Sequence, residues 1–277
     1  MNIKTIQNNI LSRYASNGRK LPRRDTQDSY AIHISEVMLQ QTQVDRVIPY
    51  FHQRMKDYPN YASLAKVSKA DLLKHRSGLG FNSRVLRLQQ CAEKIVEYEG
   101  LQIKNLKFKI QNSKNDLIEV RNQLQKLPGI GPYTSAAIMA FSRNLSVPVI
   151  DTNIRRVLIF LFKLPETITT KELEAFATKV IPAWKSRDRH NALMDQWALL
   201  LTARKTKIKS LSKQSKFEGS DRQVRGWILK QLTTNNEQLT IEKVQEEFPK
   251  KNVKEIVQGL KKEKLIKISK WVIIIAD

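Results

Sequence analysis

The chain has little of what several classes of protein cannot do without. It holds a single cysteine, Cys91. That excludes an internal disulfide, a cysteine-based zinc site and an iron–sulfur cluster built from this chain. No stretch approaches the roughly 20 consecutive apolar residues that cross a bilayer, and the opening MNIKTIQNNILSRY lacks the apolar core of a signal peptide. A cytoplasmic protein is expected, nucleoid-associated if bacterial. Acidic residues are scarce: 26 Asp and Glu stand against 49 Lys and Arg in 277 residues, a formal charge of +23. Such a surplus calls for a polyanionic partner. No strongly amphipathic basic terminal helix stands out, so nucleic acid fits better than a lipid surface. Hydrophobic residues make up 41% of the chain, enough to bury a core, which excludes a disordered protein.

Through residue 202 apolar residues recur at helical spacing and strand signals are scarce. Ile3, Ile6, Ile10, Leu11 and Tyr14 predict a helix within residues 1–20. Asp28 or Ser29 can cap the next, which runs through Ile32, Ile34, Val37, Met38 and Leu39. Another carries Val44, Val47, Ile48, Tyr50, Phe51 and Met55, and further helices are expected over 61–66, 69–75, 83–98 and 114–126. Short helices broken by Pro, Gly or Asn argue for an all-α domain around one core. Residues 203–220 read as a basic linker, with Arg204, Lys205, Lys207, Lys209, Lys213 and Lys216 following one another without an acid between them. Helices at 221–233, 240–247 and 251–263, then two strands joined by a tight turn within Leu265–Ile275, match a small winged-helix-like α+β domain over 221–277. Its third helix region carries Lys250, Lys251, Lys254, Lys261 and Lys262, a basic face suited to DNA or to a protein partner.

Three segments carry chemistry. Leu127-Pro128-Gly129-Ile130-Gly131-Pro132-Tyr133-Thr134 leads into a small-residue helix with Ala136, Ala137 and Ala140. Its glycines allow a tight turn, and the new helix points free N–H groups at whatever lies in front, a place for a DNA phosphate. Alone, the glycine pair is also an ordinary turn, and the alanines also suit close helix packing. Asp151, in Val149-Ile150-Asp151-Thr152-Asn153, would by itself read as a helix N-cap. A fixed carboxylate is equally suited to an oxocarbenium-like sugar. In Ser35-Glu36-Val37-Met38-Leu39-Gln40-Gln41-Thr42, Glu36, Leu39 and Gln40 can face one cleft. Burial of Glu36 beside Met38 and Leu39 would raise its pKa and hold a proton for a leaving group; otherwise it is a solvated helix glutamate.

The hairpin and the aspartate 20 residues after Gly131 resemble the helix-hairpin-helix glycosylase superfamily. The Glu36 segment, Val47-Ile48-Pro49-Tyr50-Phe51 and Gly78-Leu79-Gly80-Phe81-Asn82-Ser83-Arg84 look like adenine DNA glycosylases of the MutY type, so the resemblance covers roughly residues 20–200. It implies a two-lobed, all-α catalytic domain over 1–202, with lobes of 25–135 and of 1–24 plus 136–202. It also implies that Glu36 protonates adenine at N7, that Asp151 faces the sugar, and that Tyr133 and Asn153 support them. Bifunctional relatives place a lysine where Tyr133 stands; a tyrosine forms no Schiff base, so a monofunctional glycosylase is expected. Gln41 and Phe81 match positions that fill or wedge the base stack. Arg24, Leu39 and Asn191 match the base pocket, and Arg84, Lys126, Gly129, Gly131, Thr134 and Arg155 are the expected DNA contacts. The implied partner is double-stranded DNA with a mismatched or oxidised base pair, bound by a monomer away from any membrane.

The chain departs from that family in places. The cysteine ligands of the [4Fe–4S] cluster should follow Leu199-Leu200-Leu201, where Thr202-Ala203-Arg204-Lys205 stands instead. No cofactor and no resident metal are therefore expected, a weakly bound cation at the hairpin being compatible. The electrostatic task of the cluster falls to the basic linker. Pro22-Arg23-Arg24 replaces Pro-Trp-Arg, so a pocket aromatic is missing, and Asn191 stands where relatives use a longer acid or amide. The winged-helix-like segment replaces the domain that reads 8-oxoguanine. Two other readings stay open: a thymine or uracil glycosylase of G mismatches, which shares the hairpin tyrosine and distal aspartate, and a non-catalytic protein that binds damaged or bent DNA.

Overall fold

Asn2 accepts the Lys4 N–H and opens α1 (Ile3–Asn17). After a 3-10 turn at Pro22–Arg24, Asp28 caps α2 (Ser29–Leu39) through the Tyr30 N–H, and α3 (Val44–Asp57) follows. A reciprocal capping box between Asn60 and Ser63 starts α4 (Tyr61–Ala65), ahead of α5 (Lys69–Lys74) and α6 (Asn82–Glu97). Next come α7 (Lys114–Gln125), α8 (Pro132–Arg143), α9 (Thr152–Phe162), α10 (Thr170–Val180), α11 (Ser186–Leu199) and the short α12 (Ala203–Thr206). The chain ends with α13 (Asp221–Thr234), β1 (Leu239–Thr240), α14 (Ile241–Glu247), α15 (Val253–Lys262), β2 (Ile266–Ser269) and β3 (Val272–Ile275). These coordinates come from a computed structural model that describes residues 2–40, 42–74, 82–97, 114–180, 185–211, 216–234 and 238–276. Among the described residues no helix is long and apolar enough to cross a membrane.

The helices form two units, 1–55 with 102–213 and 56–101 with 214–277. In the first, Ile6 and Ile10 of α1 join Ile154, Val157 and Leu158 of α9, Leu173 and Ala177 of α10, and Ala192 and Leu193 of α11 in one cluster. Each large apolar side chain there contributes roughly 1.5–3 kcal/mol of burial. Helix α1 thus packs with α9, α10 and α11, which follow it by more than 130 residues in the chain. Beside it α8 packs on α2 and α7, and its Ala136, Ala137 and Ala140 are buried, so small side chains bring the helices close.

In the second unit β1, β3 and β2 form an antiparallel sheet in that order, with Leu239 and Ile268 both opposite Ile273. Trp227 of α13 meets Phe248 edge-on at 5.5 Å, and α15 packs on α13, which completes a winged-helix-like fold. The expected division of the chain differs here in two respects. Helix α5, assigned from the sequence to the catalytic lobe, packs on α13: α5 buries Leu72 and Leu73, α13 buries Val224, Ile228 and Leu229, and each apolar stripe needs a cover. Residues 203–210 are also not a solvated linker. Helix α12 packs on α9, Thr206 and Ile208 are buried, and the Arg156 Nε donates to the Ile208 carbonyl at 3.0 Å.

Candidate active site

Helix α2 is buried from Tyr30 to Met38, and Glu36 is its only acidic residue, 3% exposed. A carboxylate in such a place needs donors on both oxygens. Tyr133, in the first turn of α8, donates its hydroxyl to Oε2 at 2.8 Å, and Arg23 donates from Nη1 to Oε1 at 3.1 Å. The Arg23 guanidinium lies 5.2 Å from the centre of the Phe141 ring, and its Nη2 is 3.1 Å from the Met194 sulfur. Burial, then the nearby negative charges of Glu36 and Asp151, push the Tyr133 hydroxyl well above its ordinary pKa, so it remains a donor.

Asp151 caps α9: its Oδ1 accepts the Ile154 N–H at 2.6 Å. The structural and chemical readings of this residue therefore combine, since the cap uses one carboxylate oxygen. Burial raises its pKa, opposed by hydrogen bonds from the Ile154 and Asn153 N–H groups and by the charge of Arg156. Asn153 thus meets Asp151 through its backbone. The charge of Asp151 is felt at Tyr133, whose hydroxyl binds Glu36.

A residue the sequence reading missed holds the approach to Asp151. His190 on α11 is buried, and its Nε2 accepts the Val149 N–H at 2.9 Å. The other nitrogen must then carry the proton, which it gives to the Ser186 carbonyl at 2.7 Å. Burial lowers its pKa to about 4, so it is a neutral bridge at neutral pH. Both partners are backbone groups, which no side-chain motif reveals.

Arg24 was expected in the base pocket; in the structure its guanidinium is taken up by an ion pair. Its Nη1 and Nη2 bind the two carboxylate oxygens of Asp195 at 2.9 and 2.8 Å and also reach the carbonyls of Arg19 and Asn191. Arg19 adds a bond to Asp195 at 2.6 Å. Against the cost of burial, these hydrogen bonds hold the Asp195 carboxyl below its ordinary pKa. Arg24 therefore ties the segment before α2 to α11, and Arg23 is the arginine that faces Glu36. Asn191 is 2% exposed, and its Oδ1 has no hydrogen-bond partner among the described residues, an acceptor kept for something else. Leu39 lines an apolar cleft with Leu21, Pro22, Arg23, Val44, Val47, Ile48 and Phe51.

At the hairpin, Gly129 has φ +79°, a backbone that favours glycine, between buried Leu127 and Ile130. Gly131 is extended and caps α8 with no side-chain bond, and a Cβ there would meet nothing, which leaves the helix N-terminus open. Lys126 is exposed beside it. Two expected DNA contacts are corrected. The Thr134 side chain is buried, leaving only backbone to face a phosphate. Arg155 is 5% exposed and spends its guanidinium on the carbonyls of Glu166 and Lys209, at 2.6 and 3.3 Å, because the residues after α11 need a clasp. In the second unit Arg84 is partly buried on α6, where burial and neighbouring Arg87 lower its pKa. Gln41 and Phe81 lie outside the described residues.

The strap after α11 bears on the iron–sulfur cluster. Its donors are the hydroxyl, guanidinium and ammonium groups of Thr202, Arg204, Lys205, Thr206, Lys207 and Lys209, with no sulfur among them. Cys91 stands instead on α6, where burial pushes its thiol up to about 12. The residues present do not fit a cysteine-ligated cluster.

The family described as HhH-GPD superfamily base excision DNA repair protein matches residues 34–183. The chain is 30% identical over 262 residues to the adenine DNA glycosylase of Mycolicibacterium smegmatis, covering 87% of this chain and 84% of that protein. It is 31% identical over 212 residues to the adenine DNA glycosylase of Homo sapiens, covering 72% of this chain and 36% of that longer protein. Among solved structures, a thermostable thymine-DNA glycosylase superposes with a TM-score of 0.62 at 25% identity, over 73% of this chain and 89% of that one. Endonuclease III in a non-covalent DNA complex gives 0.58 at 14% identity, over the same shares, and speaks for the fold alone.

Proposed function

Because the chain belongs to the HhH-GPD superfamily of base excision DNA repair proteins, we propose that it is a monofunctional DNA glycosylase releasing adenine mispaired with guanine or 8-oxoguanine. The observation that carries this reading is the buried Glu36 carboxyl bonded to Tyr133, a tyrosine that also feels the charge of Asp151 at the start of α9.

The base must leave the stack before its bond can be reached. As the N-glycosidic bond breaks, the bonding electrons go to the base and positive charge grows on the sugar. Glu36 takes up a proton from solvent and passes it to adenine at N7, and Tyr133 keeps that carboxyl oriented. Asp151, fixed by its helix cap, stabilises the sugar cation until water adds its oxygen there and gives up its proton to the carboxylate that Glu36 has become, leaving an abasic site. Tyr133 has no amine, so no Schiff base forms and the strand stays intact. The unpartnered Asn191 Oδ1 is a ready acceptor for an exocyclic amine. The enzyme works as a monomer without an iron–sulfur cluster, and exposed Arg204, Lys205, Lys207 and Lys209 of the strap supply phosphate contacts.

A second reading, thymine or uracil removal, is favoured by the similarity to a thymine-DNA glycosylase and by Arg23 in place of a pocket aromatic. Single-turnover excision separates the two on duplexes carrying A opposite 8-oxoguanine, A opposite G, T opposite G and U opposite G. Strand breaks at A alone, seen only after alkali, support the proposal. Breaks at T or U, or a covalent complex trapped by borohydride, overturn it.

A further inference from the structure

The winged-helix-like domain ends in a ribbon whose tip is poorly chosen for folding. Ser269 pairs with Val272, so Lys270 and Trp271 form a two-residue turn, with φ +46° and +70°. Such turns favour Asn-Gly, because a side chain at positive φ crowds its own backbone. A tryptophan there is unfavourable, and it returns nothing to the core: Trp271 is 83% exposed, while Ile266, Leu265 and Ile273 do the burying.

The charge around it has one sign. Lys270 stands beside Trp271 in the turn and Lys267 lies on β2, while Lys261, Lys262 and Lys264 precede β2 at the other end of the ribbon. The one acid among residues 261–271, Glu263, is bound by Arg225 at 2.7 Å. An exposed ring beside Lys270 at the end of a basic ribbon matches a base stacked on an aromatic platform with phosphate held next to it. A duplex hides the faces of its bases, whereas an unpaired base offers one.

We propose that the wing tip is a second DNA site, in which Trp271 stacks on an unpaired base while Lys270 holds a flanking phosphate. This site is independent of the base-excision chemistry of the first unit and is tested on undamaged DNA.

The test is fluorescence anisotropy of the full chain with a labelled oligothymidine and with a fully paired duplex, alongside melting temperature. Trp271→Gly suits the positive φ, so it should melt no lower than the parent. It should bind oligothymidine about tenfold more weakly, with Trp271→Phe keeping most of the affinity. Quenching of intrinsic tryptophan fluorescence by oligothymidine should be smaller in Trp271→Gly, which keeps the other three tryptophans. Unchanged oligothymidine affinity in Trp271→Gly would overturn the proposal, and so would an equal loss on the paired duplex, since stacking on an unpaired base would then not be the interaction lost.

Discussion

Acid should weaken this fold well before its carboxylates titrate, and His190 is the residue through which to see it. Burial lowers the pKa of His190, and likewise of His33 on α2, from 6.5 to about 4. In the native state each is neutral; in the unfolded chain each takes a proton near pH 6.5. Between those values the unfolded state binds more protons, so stability is full above pH 6.5 and falls as pH drops toward 4. Each histidine accounts for about 1.4 kcal/mol per pH unit in that window and about 3 kcal/mol across it. Together they reach about 6 kcal/mol, comparable with the whole stability of an ordinary domain. Asp151, whose pKa is raised, acts in the opposite direction, and Asp195, whose pKa is lowered, adds its loss at more acid pH. Urea midpoints from pH 7 to 4.5 measure the slope in the parent and in His190→Gln, which cannot titrate. The variant will be less stable at pH 7, because a Gln amide reproduces only in part the imidazole bridge between the Val149 N–H and the Ser186 carbonyl, and its pH slope should be roughly halved relative to the parent. The full parental slope in His190→Gln would refute the reasoning.

Two further predictions concern the buried arginines and a third the strap lysines. Asp195→Ala leaves the buried Arg24 guanidinium without its carboxylate and should cost about 3–5 kcal/mol by urea denaturation, whereas removing both partners as Asp195→Leu with Arg24→Met should cost less. Replacing the strap's Lys205, Lys207 and Lys209 with Gln should flatten the dependence of log Kd for duplex DNA on log salt concentration by up to about 2.7. Arg155→Ala should lower the melting temperature and leave the direct phosphate count unchanged; a salt-slope loss with no loss of stability would restore Arg155 as a DNA contact.

Features written in short stretches of chain were legible in the sequence. Asp28 and Asp151 cap their helices through N–H groups two or three residues on, and Gly129 takes its turn within the hairpin. Glu36 with Tyr133 was legible through motif resemblance, although 97 residues separate them. What escaped depends on geometry that spacing does not encode. Arg23 and Arg24 are neighbours in one 3-10 turn, and only the folded backbone decides which faces Glu36 and which faces Asp195. His190 binds main-chain atoms, which leave no trace in residue types. The lysine-rich strap reads as solvated because its anchors are carbonyls taken up by Arg155 and Arg156.

The central claim, that Asp151 serves the sugar while Glu36 serves the base, is tested most directly by Asp151→Asn. Asparagine caps a helix about as well as aspartate, so α9 should keep its start, while the negative charge is gone. Single-turnover excision should fall by at least about a hundredfold, with binding to the A-containing mismatch nearly unchanged. Binding lost in step with excision would reduce Asp151 to a structural cap, and excision at the parental rate would remove it from the chemistry.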